Sequence, residues 1–144
     1  MTGVATLNEA ARLALALPEV VEAERHSRRA FLVNGKVFAW ERAFSKADLK
    51  RFGDEPAPDG DILAVNTADL GEKEAALAAG HAGIFTIPHF NGYAAVLVHL
   101  RVVARPVLRE TLVDGWLVHA PAALAEEYLR RRRSRPARSP DPGA

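Results

Sequence analysis

The sequence predicts an α+β domain with two layers, a mainly antiparallel five-stranded sheet and helices packed on one of its faces. The first observation is Asn34-Gly35 between two apolar runs, which is the strongest short-range signal of a β-hairpin. The second is the order of the predicted elements: helix, hairpin, strand, helix, two strands, helix, helix. The third is a length of 144 residues with 49% hydrophobic content, enough for one domain with its own core.

The composition excludes several classes of protein. No cysteine is present, which excludes disulfide bonds, thiolate zinc sites and a cysteine nucleophile. No apolar run approaches the roughly 20 residues that a membrane span requires. The N-terminus lacks the basic-then-apolar pattern of a secretory signal. We therefore expect a cytoplasmic protein that has no membrane partner.

The first predicted helix begins at a capping box. Thr6 supplies a hydroxyl acceptor, and Glu9 follows three residues later. Apolar residues then recur at helical spacing as far as Leu17. The helix is expected to end near Pro18, because the residue before a proline disfavours the α region.

The predicted hairpin joins residues 28–33 to residues 36–42. Asn-Gly supplies the two positive-φ residues of a type I′ turn, and this turn sets the register of the strands. The expected opposite pairs are Val33 with Lys36, Phe31 with Phe38, and Arg29 with Trp40. The expected core face therefore carries Phe31, Val33, Phe38 and Trp40.

The middle of the chain is predicted as a long surface loop followed by alternating strands and a helix. Residues 43–60 are polar and rich in proline and glycine, with a short helical turn around 46–52. A strand follows at 62–65, and a helix capped by Asp69 runs to Gly80. Two further strands are expected at 84–87 and 93–103.

The C-terminal part is predicted as two helices and a tail. Pro106 suits the first turn of a helix whose apolar stripe includes Leu112 and Trp116. Pro121 starts the last helix, which runs into a block of arginines. We expect residues 1–133 to form the single domain and residues 134–144 to be a disordered, basic and proline-rich tail.

The formal net charge of +1 is an average over two unlike parts. Residues 130–144 contain six arginines and one aspartate, which give +5, whereas the other 129 residues carry thirteen basic and seventeen acidic side chains, which give −4. Within the body, the basic segment 25–51 has eight cations against two carboxylates, or +6. Such clustered cations suit a phosphate backbone. The candidate nucleic-acid residues are Arg25, Arg28, Arg29, Lys36, Arg42, Arg130, Arg131 and Arg132.

A solvated surface is the alternative interpretation of these cations. Charges along a hairpin guard its edge against aggregation, and arginines at a helix C-terminus favour the helix dipole. Both interpretations stay open at this point.

The segment between the last two predicted strands is the most unusual loop. It combines two aromatic side chains, a histidine and a second Asn-Gly pair. One interpretation is a hairpin turn whose aromatics plug the sheet edge, and the other is a recognition loop. The candidate ligand or partner residues are His89, Phe90, Asn91, Tyr93 and His99.

No catalytic or metal-binding pattern is visible in the sequence. The five histidines lack metal-binding spacing, no serine occupies a Gly-x-Ser-x-Gly turn, and no glycine-rich loop precedes a helix. The acidic group Glu19, Glu22 and Glu24 is read as a solvated junction. We expect no enzyme activity, no cofactor and no metal.

Three groups of segments, in this order along the chain, are similar to the signatures of one family, the MmcQ/YjbR-like proteins. They are Leu17-Pro18-Glu19-Val20 with Ala30-Phe31-Leu32-Val33-Asn34-Gly35-Lys36-Val37-Phe38-Ala39-Trp40; Phe85-Thr86-Ile87-Pro88-His89-Phe90-Asn91-Gly92-Tyr93 with Val96-Leu97-Val98; and Trp116-Leu117-Val118-His119-Ala120-Pro121 with Leu124. The resemblance covers about residues 7–130.

The resemblance implies a fold akin to the CyaY (frataxin-like) and secretion-chaperone folds. It also implies the family's usual description, a bacterial DNA-binding protein, and brings no catalytic residues with it. Members commonly carry Lys-Arg after the Ala-Pro pair, whereas this chain has Ala122-Ala123. That departure removes two cations from the implied DNA surface.

Two function hypotheses follow. The first is a non-enzymatic, bacterial, cytoplasmic protein that binds DNA weakly and without sequence specificity through the basic hairpin and the arginine-rich C-terminus. The second is a protein- or small-ligand-binding module that uses an open sheet face and the loop from His89 to Tyr93.

Overall fold

Six strands form one antiparallel sheet in the computed structural model, which describes residues 5–134. Their spatial order is β1-β2-β3-β4-β6-β5, and every neighbouring pair is antiparallel. The expectation of an α+β domain with an antiparallel sheet is confirmed, and the expected number of five strands is wrong. The strands are β1 (Val21–Arg25), β2 (Arg28–Val33), β3 (Lys36–Glu41), β4 (Ile62–Asn66), β5 (Ile84–Phe85) and β6 (Ala95–His99).

The strand that the sequence did not predict is β1. Its sequence is mostly polar and its side chains are mostly exposed, so it lacks the apolar alternation of a half-buried strand. The turn from β1 to β2 also lacks the glycine or asparagine that marks such turns in a sequence. His26 and Ser27 adopt positive φ there instead. Pairing with β2, rather than burial, makes this segment a strand.

Five α-helices and one 3₁₀ turn complete the described chain. Thr6 and Glu9 form the predicted capping box at α1, Ser45 and Asp48 form a second one at α2, and Asp69 caps α3. The helices are α1 (Leu7–Leu15), α2 (Lys46–Phe52), α3 (Leu70–Ala78), α4 (Arg105–His119) and α5 (Ala122–Ser134), and the 3₁₀ turn spans Pro88–Phe90. The predicted tail lies outside the described residues, except that Ser134 is the last residue of α5.

The main core lies between the sheet and the helices α1, α4 and α5, and we call this side of the sheet the helical face. Trp116 of α4 is fully buried there, and its indole N–H donates to the carbonyl oxygen of Pro18 at 3.0 Å. The Tyr128 ring of α5 packs edge-on against Trp116, with 5.0 Å between ring centroids. A bidentate pair of the Arg105 guanidinium and the Glu9 carboxylate, at 2.8 and 2.9 Å, ties α4 to α1.

The second face of the sheet is also covered, so the expectation that all helices pack on one face is wrong. Phe52 of α2 and the neighbouring Phe44 pack there against Ile62 and Leu97, together with the buried Phe90 of the 3₁₀ turn. The sequence does not predict a helix on this face, because α2 has only seven residues and contributes just one aromatic side chain to the packing there.

The hairpin register is confirmed near the turn and wrong beyond it. Val33 pairs with Lys36, as expected, and Leu32 with Val37, but a β-bulge then brings Phe31 opposite Ala39 instead of the expected Phe38. The extra residue puts both Phe38 and Ala39 in the helical-face core. Trp40 is thereby turned onto the second face, where it packs with the smaller cluster.

The last strand is shorter than the predicted span of 93–103. β6 ends at His99, and the chain turns so that Val102 is exposed while Val103 is buried. Gly83, at a φ of +90°, permits this turn, because a Cβ there would lie 2.8 Å from the Val103 nitrogen.

Gly115 sets how closely α4 approaches the sheet. A Cβ at this position would lie 2.5 Å from Cγ1 of Val65 and 3.3 Å from the carbonyl oxygens of Phe38 and Asn66. The helix therefore packs closely on β3 and β4, with the Val65 side chain filling the space that a Cβ at residue 115 would take.

Gly115→Ala is expected to lower the free energy of unfolding by about 1–3 kcal/mol, because the added methyl group must displace either β4 or α4. Urea denaturation measures the change. Gly71→Ala in α3 is the matched control: its Cβ would meet only the Asp69 carboxylate, at 3.3 Å. The control should be neutral or stabilising by up to about 1 kcal/mol through helix propensity. Equal destabilisation by both changes would contradict this account of Gly115.

Candidate functional site

Two arginines of the predicted basic hairpin, Arg28 and Arg29, are held in ion pairs. The Arg29 Nε donates to the Glu22 carboxylate at 2.6 Å, and one of its terminal nitrogens donates to Asn8 Oδ1 at 2.7 Å. Arg28 lies 3.4 Å from the Glu41 carboxylate. β1, which the sequence analysis did not predict, thus supplies the carboxylate that neutralises Arg29.

Arg42 is a structural residue at the start of α2. Its guanidinium lies 3.0 Å from the Asp48 carboxylate, which is 2% exposed, and 5.4 Å from the centroid of the Phe90 ring. Hydrogen bonds from the Ser45 backbone N–H and from Arg42 hold the pKa of Asp48 below its usual value, despite burial, which acts the other way. Arg42 therefore anchors α2 on the second face.

The arginines of α5 also meet carboxylates. Arg130 and Arg131 both pair with Glu127 of the same helix, and Arg132 pairs with Glu110 of α4. These pairs are exposed, so each contributes little to stability. They nevertheless reduce the positive charge that α5 presents to a polyanion.

Two candidate cations of the hairpin remain without an ion pair among residues 5–134. They are Arg25 and Lys36. They lie at opposite ends of β2, since Arg25 pairs with Arg28 and Lys36 with Val33. Within the hairpin, the two cations without an ion pair are therefore separated by the length of β2.

The loop from His89 to Tyr93 packs onto the second face of the sheet. Phe90 is 3% exposed and contacts the Tyr93 ring edge-on, with 5.5 Å between centroids. Tyr93 is 48% exposed and also contacts Trp40. His89 and Asn91 are exposed.

His99 is not part of this group. It lies at the other end of β6, where its Nε2 is 2.7 Å from the Asp59 carbonyl oxygen. The structure thus brings four of the five candidate loop residues together and separates the fifth.

A buried lysine holds this loop to α3. Lys73 is 6% exposed, and its ammonium donates to the carbonyl oxygens of Phe90 and Tyr93, at 2.5 and 2.7 Å. Burial lowers the pKa of Lys73. The sequence analysis missed this residue, since a lysine in a polar helix resembles any solvated one.

A cleft lies between α3 and α4, and we call it the α3–α4 cleft. Its volume is about 680 Å³. Val96 and Ile84 of the sheet form the floor, Ala76 and Ala79 line the α3 wall, and Leu117 lines the α4 wall. The sequence analysis did not predict it, because these residues come together only when both helices lie on the sheet.

Four carboxylates surround the apolar floor of the cleft. They are Asp69, Glu72, Glu110 and Asp114. Asp69 accepts a hydrogen bond from the Glu72 backbone N–H at 2.8 Å, and Glu110 pairs with Arg132. Neither Glu72 nor Asp114 has a side-chain hydrogen bond or ion pair within residues 5–134. Burial, then the charges of Glu110 and Glu72, raise the pKa of Asp114 above its usual value, whereas the charge of Arg132 acts the other way.

A polar pair lies at one end of the cleft. The Nε2 atom of His119 is 2.9 Å from Oδ1 of Asn66, and Asn66 lines the cleft. Burial, and to a lesser extent the charge of Lys36, lower the pKa of His119. A neutral imidazole that donates to Asn66 is consistent with this environment.

Two further findings concern the described part of the chain. Between residues 5 and 134, no group of three His, Asp or Glu side chains is arranged to hold a metal ion. In the same range, no helix has the length and apolar character needed to span a membrane.

Comparison with known proteins finds relatives of nearly the same length. Over 129 residues, the chain is 40% identical to Uncharacterized protein Rv2570 of Mycobacterium tuberculosis (strain ATCC 25618 / H37Rv). The aligned region covers 88% of this chain and 97% of that protein. The chain belongs to the family of this bacterial protein. Uncharacterized protein Mb2600 of Mycobacterium bovis matches with the same identity and coverage. No family model and no solved structure matches the chain.

Lys73→Met is expected to loosen the loop from His89 to Tyr93, because two carbonyl oxygens lose a charged donor. The loss should cost about 1–3 kcal/mol of unfolding free energy, the range for hydrogen bonds removed from buried groups. Hydrogen exchange should become faster at residues 88–95 while the helical face keeps its protection. Lys46→Met, at an exposed position of α2, is the control and should change neither quantity. Unchanged exchange at 88–95 in Lys73→Met would show that the lysine does not hold the loop.

Proposed function

We propose that the protein is a non-enzymatic ligand-binding protein and that the α3–α4 cleft is its binding site. The volume of the cleft carries the proposal: about 680 Å³ falls within the roughly 300–1,000 Å³ of ordinary small-molecule sites. An apolar floor with a few polar groups at its rim is also the usual composition of such sites. This proposal keeps the second hypothesis of the sequence analysis, but it moves the site from the sheet face and the loop to the cleft.

Binding, rather than catalysis, is supported by the polar groups that the cleft offers. The hydroxyl of Thr111 donates to the Val107 carbonyl oxygen at 2.7 Å, which is a local helix contact. The His119 ring does not line the cleft; it is hydrogen-bonded to the cleft residue Asn66, so it is not paired with a nucleophile. These side chains are suited to orienting a ligand, and we propose no reaction and no cofactor.

Ala76→Phe tests the site by filling it. Ala76 lines the cleft, so a phenyl ring there should reduce the binding of indole, a neutral apolar probe, by about tenfold or more. Indole titrations followed by amide chemical shifts at Val96 and Ile84 give the affinity. Ala78→Phe is the control on the same helix, because Ala78 is exposed and outside the cleft. Indole that shifts no cleft amide in the unmodified protein would refute the site.

DNA binding is the second candidate, and the exposed cations of α2 favour it. Lys46, Lys50 and Arg51 are exposed and have no ion pair among residues 5–134. They lie in the basic segment that the sequence analysis singled out, although they were not its candidate residues. We propose that any nucleic-acid contact is centred on α2, is weak and depends on salt rather than sequence.

Replacing Lys46, Lys50 and Arg51 together by Gln is expected to weaken binding to duplex DNA. Each lost phosphate contact should reduce the slope of log K against log salt by about 0.9, so the three together remove up to about 2.7. Fluorescence anisotropy over a range of salt concentrations measures this slope. The control replaces the exposed Arg12 and Arg109 by Gln. An unchanged slope in the α2 variant would refute this surface, and undetectable binding by the unmodified protein would refute DNA binding.

We also propose that the chain is an MmcQ/YjbR-like protein with a CyaY-like fold and a cytoplasmic location. An antiparallel sheet with α1, α4 and α5 packed on one face, and the succession of elements from α1 to α5, support the fold assignment. The Asn34-Gly35 turn and the Ala120-Pro121 junction between α4 and α5 also fall where the resemblance implies them.

A further inference from the structure

We propose that the ligand of the α3–α4 cleft is a small organic cation with an apolar body, whose ammonium or guanidinium group lies between Glu72 and Asp114. This inference rests on the proposed function, because it names the ligand class of the same cleft. Three features support it: the floor, the two unpaired carboxylates, and an internal cation already at the rim.

The floor of the cleft suits an apolar body. Val96 and Ile84 rise from the sheet, and beyond Glu72 the α3 side presents the methyl groups of Ala75, Ala76 and Ala79 toward the gap. Small side chains on one wall leave room between the helices that larger residues would fill. An aromatic or short aliphatic group therefore fits this space, and its burial would contribute apolar contact area.

The rim of the cleft suits a positive charge. Glu72 begins the α3 wall and Asp114 stands on the α4 wall, and neither has a side-chain partner in the part of the chain that the structure describes. Glu110 and Asp114 are also one helical turn apart on α4, and like charges at this spacing destabilise a helix. A bound cation would relieve this repulsion and supply charge-assisted hydrogen bonds.

A cation of the protein itself already binds at the rim of the cleft. Arg132 of α5 reaches Glu110, which lies on the border of the cleft, and pairs with it. The Arg132 guanidinium is thus paired with one of the four carboxylates. A second one, that of Asp69, accepts a hydrogen bond from the backbone at the start of α3. Glu72 and Asp114 are the two carboxylates that are left for a ligand.

The arrangement favours an organic cation over a metal ion or an anion. The carboxylates stand around an apolar floor, and among residues 5–134 no three acidic or histidine side chains converge as a metal site requires. An anion would meet four carboxylates and would be repelled. The apolar floor would contribute nothing to the binding of a bare ion, whereas it would contact the body of an alkyl or aryl amine.

Three compounds that share one indole body test the charge requirement: tryptamine is a cation, tryptophol is neutral and indole-3-propionate is an anion. Titrations of the full chain, followed by amide chemical shifts at the cleft, give the three affinities. We expect tryptamine to bind about tenfold more tightly than tryptophol, the effect of one charge-assisted hydrogen bond. Indole-3-propionate should bind more weakly than either compound.

Asp114→Asn and Glu72→Gln assign that preference to the two carboxylates. Each variant keeps the shape of the side chain and should reduce the ratio of tryptamine to tryptophol affinity severalfold. Glu74→Gln is the matched control, because Glu74 is an exposed carboxylate on α3 outside the cleft. Amide spectra of all variants check that the fold is retained.

The outcomes separate this inference from the proposed function. Equal affinities for tryptamine and tryptophol at the cleft would overturn the cation and leave the ligand-binding cleft in place. An unchanged ratio in both carboxylate variants would overturn the assignment to Glu72 and Asp114. If no indole compound shifted the cleft amides, both proposals would fail. Binding of an arginine-rich peptide there, without binding of tryptamine, would replace the small cation by a peptide.

Discussion

The close approach of α4 to the sheet at Gly115 is the constraint on which the rest of the structure depends. With no side chain at this position, the helix backbone lies on β3 and β4. Trp116, the next residue, enters the core and bonds to Pro18, which positions the end of the α1 segment. Asp114, the preceding residue, faces the gap toward α3. One turn of helix therefore sets the packing of the core and builds one wall of the α3–α4 cleft.

Several of the cations in this protein form ion pairs with carboxylates of other elements. Arg29, Arg42 and Arg132 join different elements to one another through Glu22, Asp48 and Glu110. Cations engaged in this way are less available to a phosphate backbone, whereas the carboxylates Glu72 and Asp114 stay without partners in residues 5–134. For this reason the cation site is proposed at Glu72 and Asp114, and nucleic-acid contact is proposed at the unpaired cations of α2.

Local chemistry made much of the fold predictable. The Thr6–Glu9 capping box and the Asp69 cap involve atoms at most three residues apart, so their sequence patterns are sufficient. The Asn34-Gly35 turn also lies where expected, with both residues at positive φ. The predictions that failed depend on pairing and packing that the pattern of a single segment does not show. β1 is a strand because β2 pairs with it, and the bulge at Phe38 matches the strands to the core rather than to the turn.

The sequence by itself determined the α+β class, the antiparallel hairpin and the positions of most helices, because these follow from periodicity, caps and turns within a few residues. Only the tertiary structure decided which charges are neutralised, which face Trp40 joins, and that Lys73 clamps a loop far along the chain. The tertiary structure also formed the cleft, since its floor comes from β5 and β6 and its walls come from α3 and α4. A cavity between two helices has no local pattern, since its lining is apolar residues that any core would use.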